Sequence, residues 1–531
     1  MKNIILMLLG VICFVTGTRA ADVVCLNNSA DFLPMKDVSN VAIWQVGGIA
    51  NHGFVTRAKC YAHCEYFYSQ PTINDYRQGL QKIKGRNVII LITSELPTNI
   101  ARMINTVAQR QNCCVASING LASLLHIQGK TMIHASGKPA MAGEMAARAV
   151  FGGIHVNGTL KQRCGPYRKG SGVEILPCRL QYITRDEEPY LRWNYRDTID
   201  SIVNLALDSA CFPGCQIFAA KNGKVLINKA YGRSSYGDSC HRVNTDDIYD
   251  IASLTKISAT TILAMYLHGK GLLDVENSLG QYIRDTVEES PVMDVSIRSL
   301  LEHRSGIYAY PPTTRFSNLW AGWRINARVK GINPDTMKSS QLRELSINEI
   351  YTPYRIPGVS DIRVADGLWM KNNYQDSLRY FFMKQKMNKR KKYQYSDVNM
   401  IYMQWVNEKL LKSGTHEFLS RNFYGPLGMQ TTGYLPLTRF PASRIIPTEA
   451  HQWTGRMLQG DVHDPAAAFL GGVAGNAGIF SSAKDLAILY QMLINGGEYG
   501  RKRYLEKVSV KFFSAKQPKT IRGLGYDIVP S

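Results

Sequence analysis

Ser253 and Lys256 stand three residues apart in "YDIASLTKIS", residues 249–258, where an otherwise apolar segment begins. On a helix that spacing puts both side chains on one face, so the serine hydroxyl and the lysine ammonium can meet. A serine in the first turn also lies at the helix's positive end, which favours an oxyanion there. A serine hydroxyl is a poor nucleophile until a neighbour accepts its proton, and a desolvated lysine can accept or assist. The following "ISATTILAMYLHG" is apolar or small nearly all round and stops at Gly269, which predicts a buried helix that supplies the desolvation. Ser-x-x-Lys alone equally describes a capping serine beside an exposed lysine, so the surrounding segments decide.

Those segments carry a resemblance. The wording "YDIASLTKISATT" resembles the nucleophile motif of the serine beta-lactamase and penicillin-binding-protein superfamily, in its class C-like branch of esterases and peptidases. Four further segments fit that branch in order: "PGCQIFAAKNGKVLINKAYG" ahead of the motif, "LLEHRSGI" at 300–307, "YQYSDVNMIYMQWV" from 393 and "GGVAGNAGIFSSAKDLAILYQML" from 471. The resemblance implies Ser253 as the acylated nucleophile, Lys256 as its activating partner, and Tyr395 as the tyrosine that relays protons to the leaving group. The second motif of the superfamily usually ends in asparagine, whereas Tyr395-Ser396 leads here to Asp397. Asp397 would meet the substrate with a carboxylate, which only accepts hydrogen bonds where an amide also donates, so esters and other acyl groups stay open. By the same resemblance His303 has a structural role, and Gly475 and Gly478 shape a loop near the cleft.

The superfamily's third motif, Lys/His-Thr/Ser-Gly on an edge strand, should follow the segment at 471. The sequence closes instead on "IRGLGYDIVPS", so the expected fold is an α+β beta-lactamase/transpeptidase-like domain lacking its last strands and helix. That strand donates an N–H to the oxyanion, and losing one such donor typically costs about 100- to 1,000-fold in rate. Lys412-Ser413-Gly414 matches the letters but ends the helix after Tyr395, so it reads as a helix stop.

The elements that hold these residues follow from pattern. From Asp197 a helix, "DTIDSIVNLALDSA", leads into two apolar runs joined by Asn222-Gly223, a strong hairpin signal. A long polar insertion runs from about Pro311 to Lys392. Between residues 40 and 160, "NVAIWQVGG", "NVIILITSE", "CCVASI" and "TMIHAS" read as strands, with helices "NIARMINTVAQRQ" and "MAGEMAARAVFGG" among them. Alternation of this kind implies an α/β layer with a largely parallel sheet. A loose stretch from Gly158 to about Glu188 marks the boundary, giving domains at 21–188 and 189–531.

The first domain carries a second resemblance. "SINGLASLLHI" with "TMIHASGKPAMAGEMAARAVFGGIHVNGTL" resembles the C-terminal α/β sandwich domain of glycoside hydrolase family 3, with a degraded turn at Gly158–Gln162. That family's catalytic carboxylate lies on a preceding barrel, for which the sequence has no room, and no carboxylate pair flanks a sugar site. Glycosidase activity is not expected. The whole layout resembles a Bacteroidetes-type fusion of a beta-N-acetylglucosaminidase with a beta-lactamase-like serine hydrolase, truncated at both ends of its catalytic parts.

Composition bounds the rest. The 531 residues, 45% of them hydrophobic, are enough for two or three cored domains. Residues 1–20 read as a cleavable signal peptide, with the apolar run Ile4 to Val15 ahead of Thr18-Arg19-Ala20, which predicts a secreted or periplasmic protein. Of 11 cysteines, those from Cys25 to Cys240 are even in number, which permits disulfides in an exported chain. No histidines are spaced to complete a zinc site with Cys60 and Cys64 or Cys211 and Cys215. The net charge of +22 suits anionic cell-envelope polymers, and no motif supports nucleic-acid binding.

Two readings stand at this level. One is an exported serine hydrolase acting on a small or muropeptide-like ester or amide through an acyl-serine, without metal or other cofactor. The other is a catalytically impaired relic, or an envelope-binding protein, that keeps the cleft.

Overall fold

The computed structural model describes residues 21–183, 195–237, 240–284, 290–309, 350–374, 392–451, 455–518 and 520–528, with a few more between 375 and 391. The signal-like residues 1–20 and most of the insertion expected at 311–392 lie outside the described residues. The chain forms two compact units, Met1–Met35 with Asn40–Pro177 and Lys36–Ser39 with Cys178–Ser531. The main division falls inside the loose stretch that follows Gly158.

The first unit is an α/β layer. Its strands are β1 (Ala21–Asn28), β2 (Val41–Val46), β3 (Cys64–Ser69), β4 (Asn87–Ile92), β5 (Cys113–Ile118) and β6 (Thr131–Gly137), in the order β1-β6-β5-β4-β2-β3. All neighbours are parallel except β1, which runs antiparallel to β6. Helices α1 (His52–Ala58), α2 (Ile73–Lys82), α3 (Thr98–Ala108) and α4 (Pro139–Phe151) connect them. Every residue of β2 and β5 is buried, as expected for parallel strands covered on both faces. Trp44 of β2 is fully buried and donates its indole N–H to Ser69 Oγ at 2.9 Å. Only glycine fits beside it at position 79, where a Cβ would lie 2.3 Å from the indole.

The second unit mixes a small sheet with helices. Helix α5 (Tyr195–Asp208) precedes a hairpin of β8 (Gly214–Lys221) and β9 (Lys224–Gly232), to which β7 (Gln181–Tyr182) adds in parallel. The hairpin turn places Asn222 and Gly223 at φ of 51° and 75°, the left-handed pair a tight two-residue turn requires. Helix α6 (Thr261–Gly269) is buried along most of its length.

Lys412 ends the helix Asp397–Leu411 in a left-handed conformation, so Lys412-Ser413-Gly414 is a helix stop. The ten cysteines from Cys25 to Cys240 are all free thiols, so the disulfides that their even number permits are not formed. Among the described residues no group of histidine, cysteine or carboxylate side chains could hold a metal ion, and no helix is long and apolar enough to cross a membrane.

Candidate active site

The site is built where a short antiparallel pairing meets the start of a helix. Tyr249–Asp250 pairs with Phe480–Ser481, and Ile251 N–H extends the pairing by donating to Ile479 O at 3.1 Å. Ile479 N–H in turn donates to Thr255 Oγ1 at 3.1 Å. Asp250 Oδ1 accepts the Ala252 N–H at 2.8 Å, and Ala252 is bent to φ +45°. A left-handed alanine costs roughly 1–2 kcal/mol, strain stored beside the candidate nucleophile.

Ser253 follows on a tight turn. Leu254, Thr255 and Lys256 each donate an N–H to the carbonyl three residues back, at 3.0, 3.0 and 3.1 Å. The backbone then widens into a π-helical turn, Lys256–Thr260, before α6 begins. The regular helix expected to carry both residues is therefore corrected: Ser253 lies ahead of it, and Lys256 opens a wide turn that precedes α6. Within this turn Thr260 Oγ1 donates to Gly475 O at 2.7 Å. Ser253 stays exposed while Lys256 is only 4% exposed, so the nucleophile is open and its partner desolvated.

Lys256 Nζ has three acceptors. It lies 2.8 Å from Ser253 Oγ, 3.1 Å from Asn476 O and 2.7 Å from Asp397 Oδ1. An ammonium has three N–H donors, and each is matched. Gly475 makes the Asn476 contact possible, since a Cβ there would lie 2.0 Å from Met400 O. The Asn476 side chain donates to Asp464 Oδ1 at 3.0 Å, which fixes the loop from its other side.

Asp397 opens the helix Asp397–Leu411, whose N-cap is Ser396. Burial pushes its carboxyl above the usual range, and the neighbouring Lys256 pulls the other way. Asp397 is expected from sequence to meet the substrate; its Oδ1 is engaged by Lys256.

Tyr395 is 40% exposed, with its ring centroid 4.9 Å from Lys256 Nζ. Its other neighbour is His303, 4.8 Å away between centroids. His303 takes φ +56° just after the short helix Ile297–Leu301. It accepts the Ser396 N–H at Nδ1 over 3.1 Å, and Gln394 N–H donates to its carbonyl at 2.8 Å. Burial first, then the charges of Arg522 and Lys256, push the imidazole down to about 3, so it stays neutral. His303 thus has the structural role expected of it and holds the Tyr395 segment in place.

All four residues named from sequence, Ser253, Lys256, Tyr395 and Asp397, therefore meet at one place. Sequence reasoning misses Asn476 because it acts through its backbone carbonyl, which no side-chain pattern reports. The Ser253 N–H has no acceptor among the described residues, so it is available to an acyl oxygen.

A profile of the beta-lactamase family matches residues 199–529. A protein of Salmonella paratyphi A named as a candidate D-alanyl-D-alanine carboxypeptidase is 24% identical over 356 residues, covering 62% of this chain and 71% of the relative. Among solved structures, an octameric penicillin-binding protein homologue from Pyrococcus abyssi aligns with TM-score 0.41 and 17% identity over 62% of this chain, which spans 64% of its length. The D-amino acid amidase of Ochrobactrum anthropi, complexed with L-phenylalanine amide, aligns with TM-score 0.41 and 16% identity over 63% of this chain and 80% of the amidase. The matched profile takes in the serine, the lysine, the tyrosine and the aspartate and most of the chain, and the protein belongs to the beta-lactamase family of serine hydrolases.

Proposed function

We propose that this chain hydrolyses an amide or ester of a small acyl substrate through an acyl-Ser253 intermediate. The observation that carries the reading is the 2.8 Å contact between Ser253 Oγ and a buried Lys256 Nζ. Ser253 Oγ attacks the carbonyl carbon, and its proton passes to Lys256 when the amine is neutral. The Ser253 N–H meets the oxyanion, Tyr395 protonates the departing amine or alcohol, and water then cleaves the acyl-serine, regenerating the hydroxyl. The name of the Salmonella relative favours a peptide amide of the D-alanyl-D-alanine type, in keeping with a muropeptide-like substrate.

Export through residues 1–20, a first unit of the glycoside hydrolase family 3 C-terminal type and affinity of a +22 chain for anionic envelope polymers belong to the same proposal. A second reading, a relic that binds without turnover, is favoured by the Lys256–Asp397 contact, which commits one of the lysine's donors to a carboxylate. Intact-mass analysis after incubation with a fluorophosphonate and, separately, a penicillin decides between them. Hydrolase chemistry gives a single adduct that Ser253→Ala abolishes; folded protein without an adduct leaves the binding reading.

A further inference from the structure

Residues Arg522–Asp527 pack beside the serine site without entering the chemistry above. Leu524 N–H donates to Phe513 O at 2.8 Å, and Gly525 N–H donates to Leu301 O at 3.0 Å, two residues before His303. A Cβ at Gly525 would lie 2.5 Å from Thr261 Oγ1, so the segment also abuts the first residue of α6. Arg522 is only 5% exposed. Its guanidinium donates to Tyr393 Oη at 3.1 Å, lies 5.0 Å from the centre of that ring, and pairs with Asp527.

Aromatic contacts continue from there to the lysine. The Tyr393 ring meets His303 edge-on at 6.5 Å, His303 lies 4.8 Å from Tyr395, and Tyr395 lies 4.9 Å from Lys256 Nζ. The Tyr395 hydroxyl makes no hydrogen bond among the described residues, so the ring's neighbours set its direction. Misplacing a reacting group by about 1 Å can cost roughly 100-fold in rate.

We propose that Arg522 is a positioning residue for Tyr395, acting through Tyr393 and His303, so that Arg522–Asp527 is a working part of the serine site. This rests on the reading of Tyr395 as the proton relay. Arg522 reaches Tyr393 through a directed N–H, which a lysine replaces only in part and a glutamine does not replace in charge. Tyr393→Phe removes the same hydrogen bond while keeping the ring.

The test uses the full chain with Arg522→Gln, Arg522→Lys and Tyr393→Phe. Two readouts are taken: saturation kinetics of fluorophosphonate labelling at Ser253, and the His303 ring signal in protein labelled with 13C-histidine. The expected result is a maximal labelling rate about tenfold lower in Arg522→Gln, with half-saturation unchanged, partial recovery in Arg522→Lys, and a smaller loss in Tyr393→Phe. The His303 signal shifts in Arg522→Gln and in Tyr393→Phe. An unlabelled wild-type chain would defeat the serine reading alone, because the His303 signal still reports the link. A His303 signal that stays in place in the folded Tyr393→Phe chain overturns the proposal, as does a full labelling rate in both Arg522→Gln and Tyr393→Phe.

Discussion

Lys256 Nζ lies 2.7 Å from Asp397 Oδ1, in a pair whose side chains are 4% and 13% exposed. At that depth the attraction is on the order of 4 kcal/mol or more, while removing both ions from water costs several kcal/mol each. The two terms roughly cancel, so the pair adds little to stability. Its larger effect is on position: Asp397 Oδ1, Ser253 Oγ and the Asn476 carbonyl together hold Nζ beside the nucleophile. Where the resemblance would put an asparagine, this chain has a carboxylate in contact with its own activating residue.

Asp397→Asn keeps the size of the side chain but replaces the carboxylate that accepts from Lys256 with a neutral amide oxygen, a weaker acceptor for an ammonium. The lysine should be held less firmly, and labelling of Ser253 should slow by about tenfold. Saturation kinetics of fluorophosphonate labelling measure this. An unchanged maximal rate would show that Asp397 does not place the lysine.

Lys256→Met removes one member of the buried pair and leaves Asp397 unmatched. Stability should fall by about 3–5 kcal/mol in urea unfolding, and labelling of Ser253 should vanish. Adding Asp397→Asn to that variant should restore most of the stability and none of the labelling. Equal stability of the single and double variants would mean that Asp397 is well solvated or otherwise matched.

Much of this arrangement was legible in the sequence, because side-chain type and order carry it. The two apolar runs joined by Asn222-Gly223 locate the hairpin, and "CCVASI" and "NVIILI" are apolar but for Ser117 and Asn87 because β4 and β5 are covered on both faces. Strand β1, "ADVVCLNN", was harder to see, since its apolar run is only Val23–Leu26 and it pairs with β6 at a distance in sequence. At the site, Ser253, Lys256, Tyr395 and Asp397 are named by motif. The Asn476 carbonyl and the left-handed Ala252 are backbone features, and the identity of a residue does not report them. The Lys256–Asp397 contact joins residues far apart in the chain, so only the fold brings the two charges together.

Gly475→Ala tests the loop behind the lysine. The added Cβ would lie 2.0 Å from Met400 O, a backbone atom that cannot swing away. Relief requires the Gly475–Asn476 loop to move, at about 1–3 kcal/mol in stability, and the Asn476 carbonyl to leave Lys256. Labelling of Ser253 should slow in step. Full labelling by a destabilised Gly475→Ala chain would show that the Asn476 carbonyl does not place the lysine.

His303 should make the second unit sensitive to acid. Its imidazole is pushed down to about 3 in the folded chain, from the ordinary value of 6.5, because it is buried and faces Arg522 and Lys256. The neutral ring accepts the Ser396 N–H at Nδ1, and protonation would replace that acceptor with a donor. A depressed value means that below about pH 6.5 the unfolded chain binds a proton the folded chain refuses. Stability contributed by the neutral ring is thus complete above that pH and is lost progressively as pH falls toward 3, at about 1.4 kcal/mol per pH unit. Asparagine offers an oxygen near the place of Nδ1 and does not titrate, so His303→Asn should unfold in urea with a shallower decline in stability over that range. The difference between the two chains isolates the histidine from every carboxylate that titrates in both. Parallel curves for wild type and His303→Asn would show that the ring is protonated without cost, and that it does not hold Tyr395 through the Ser396 amide.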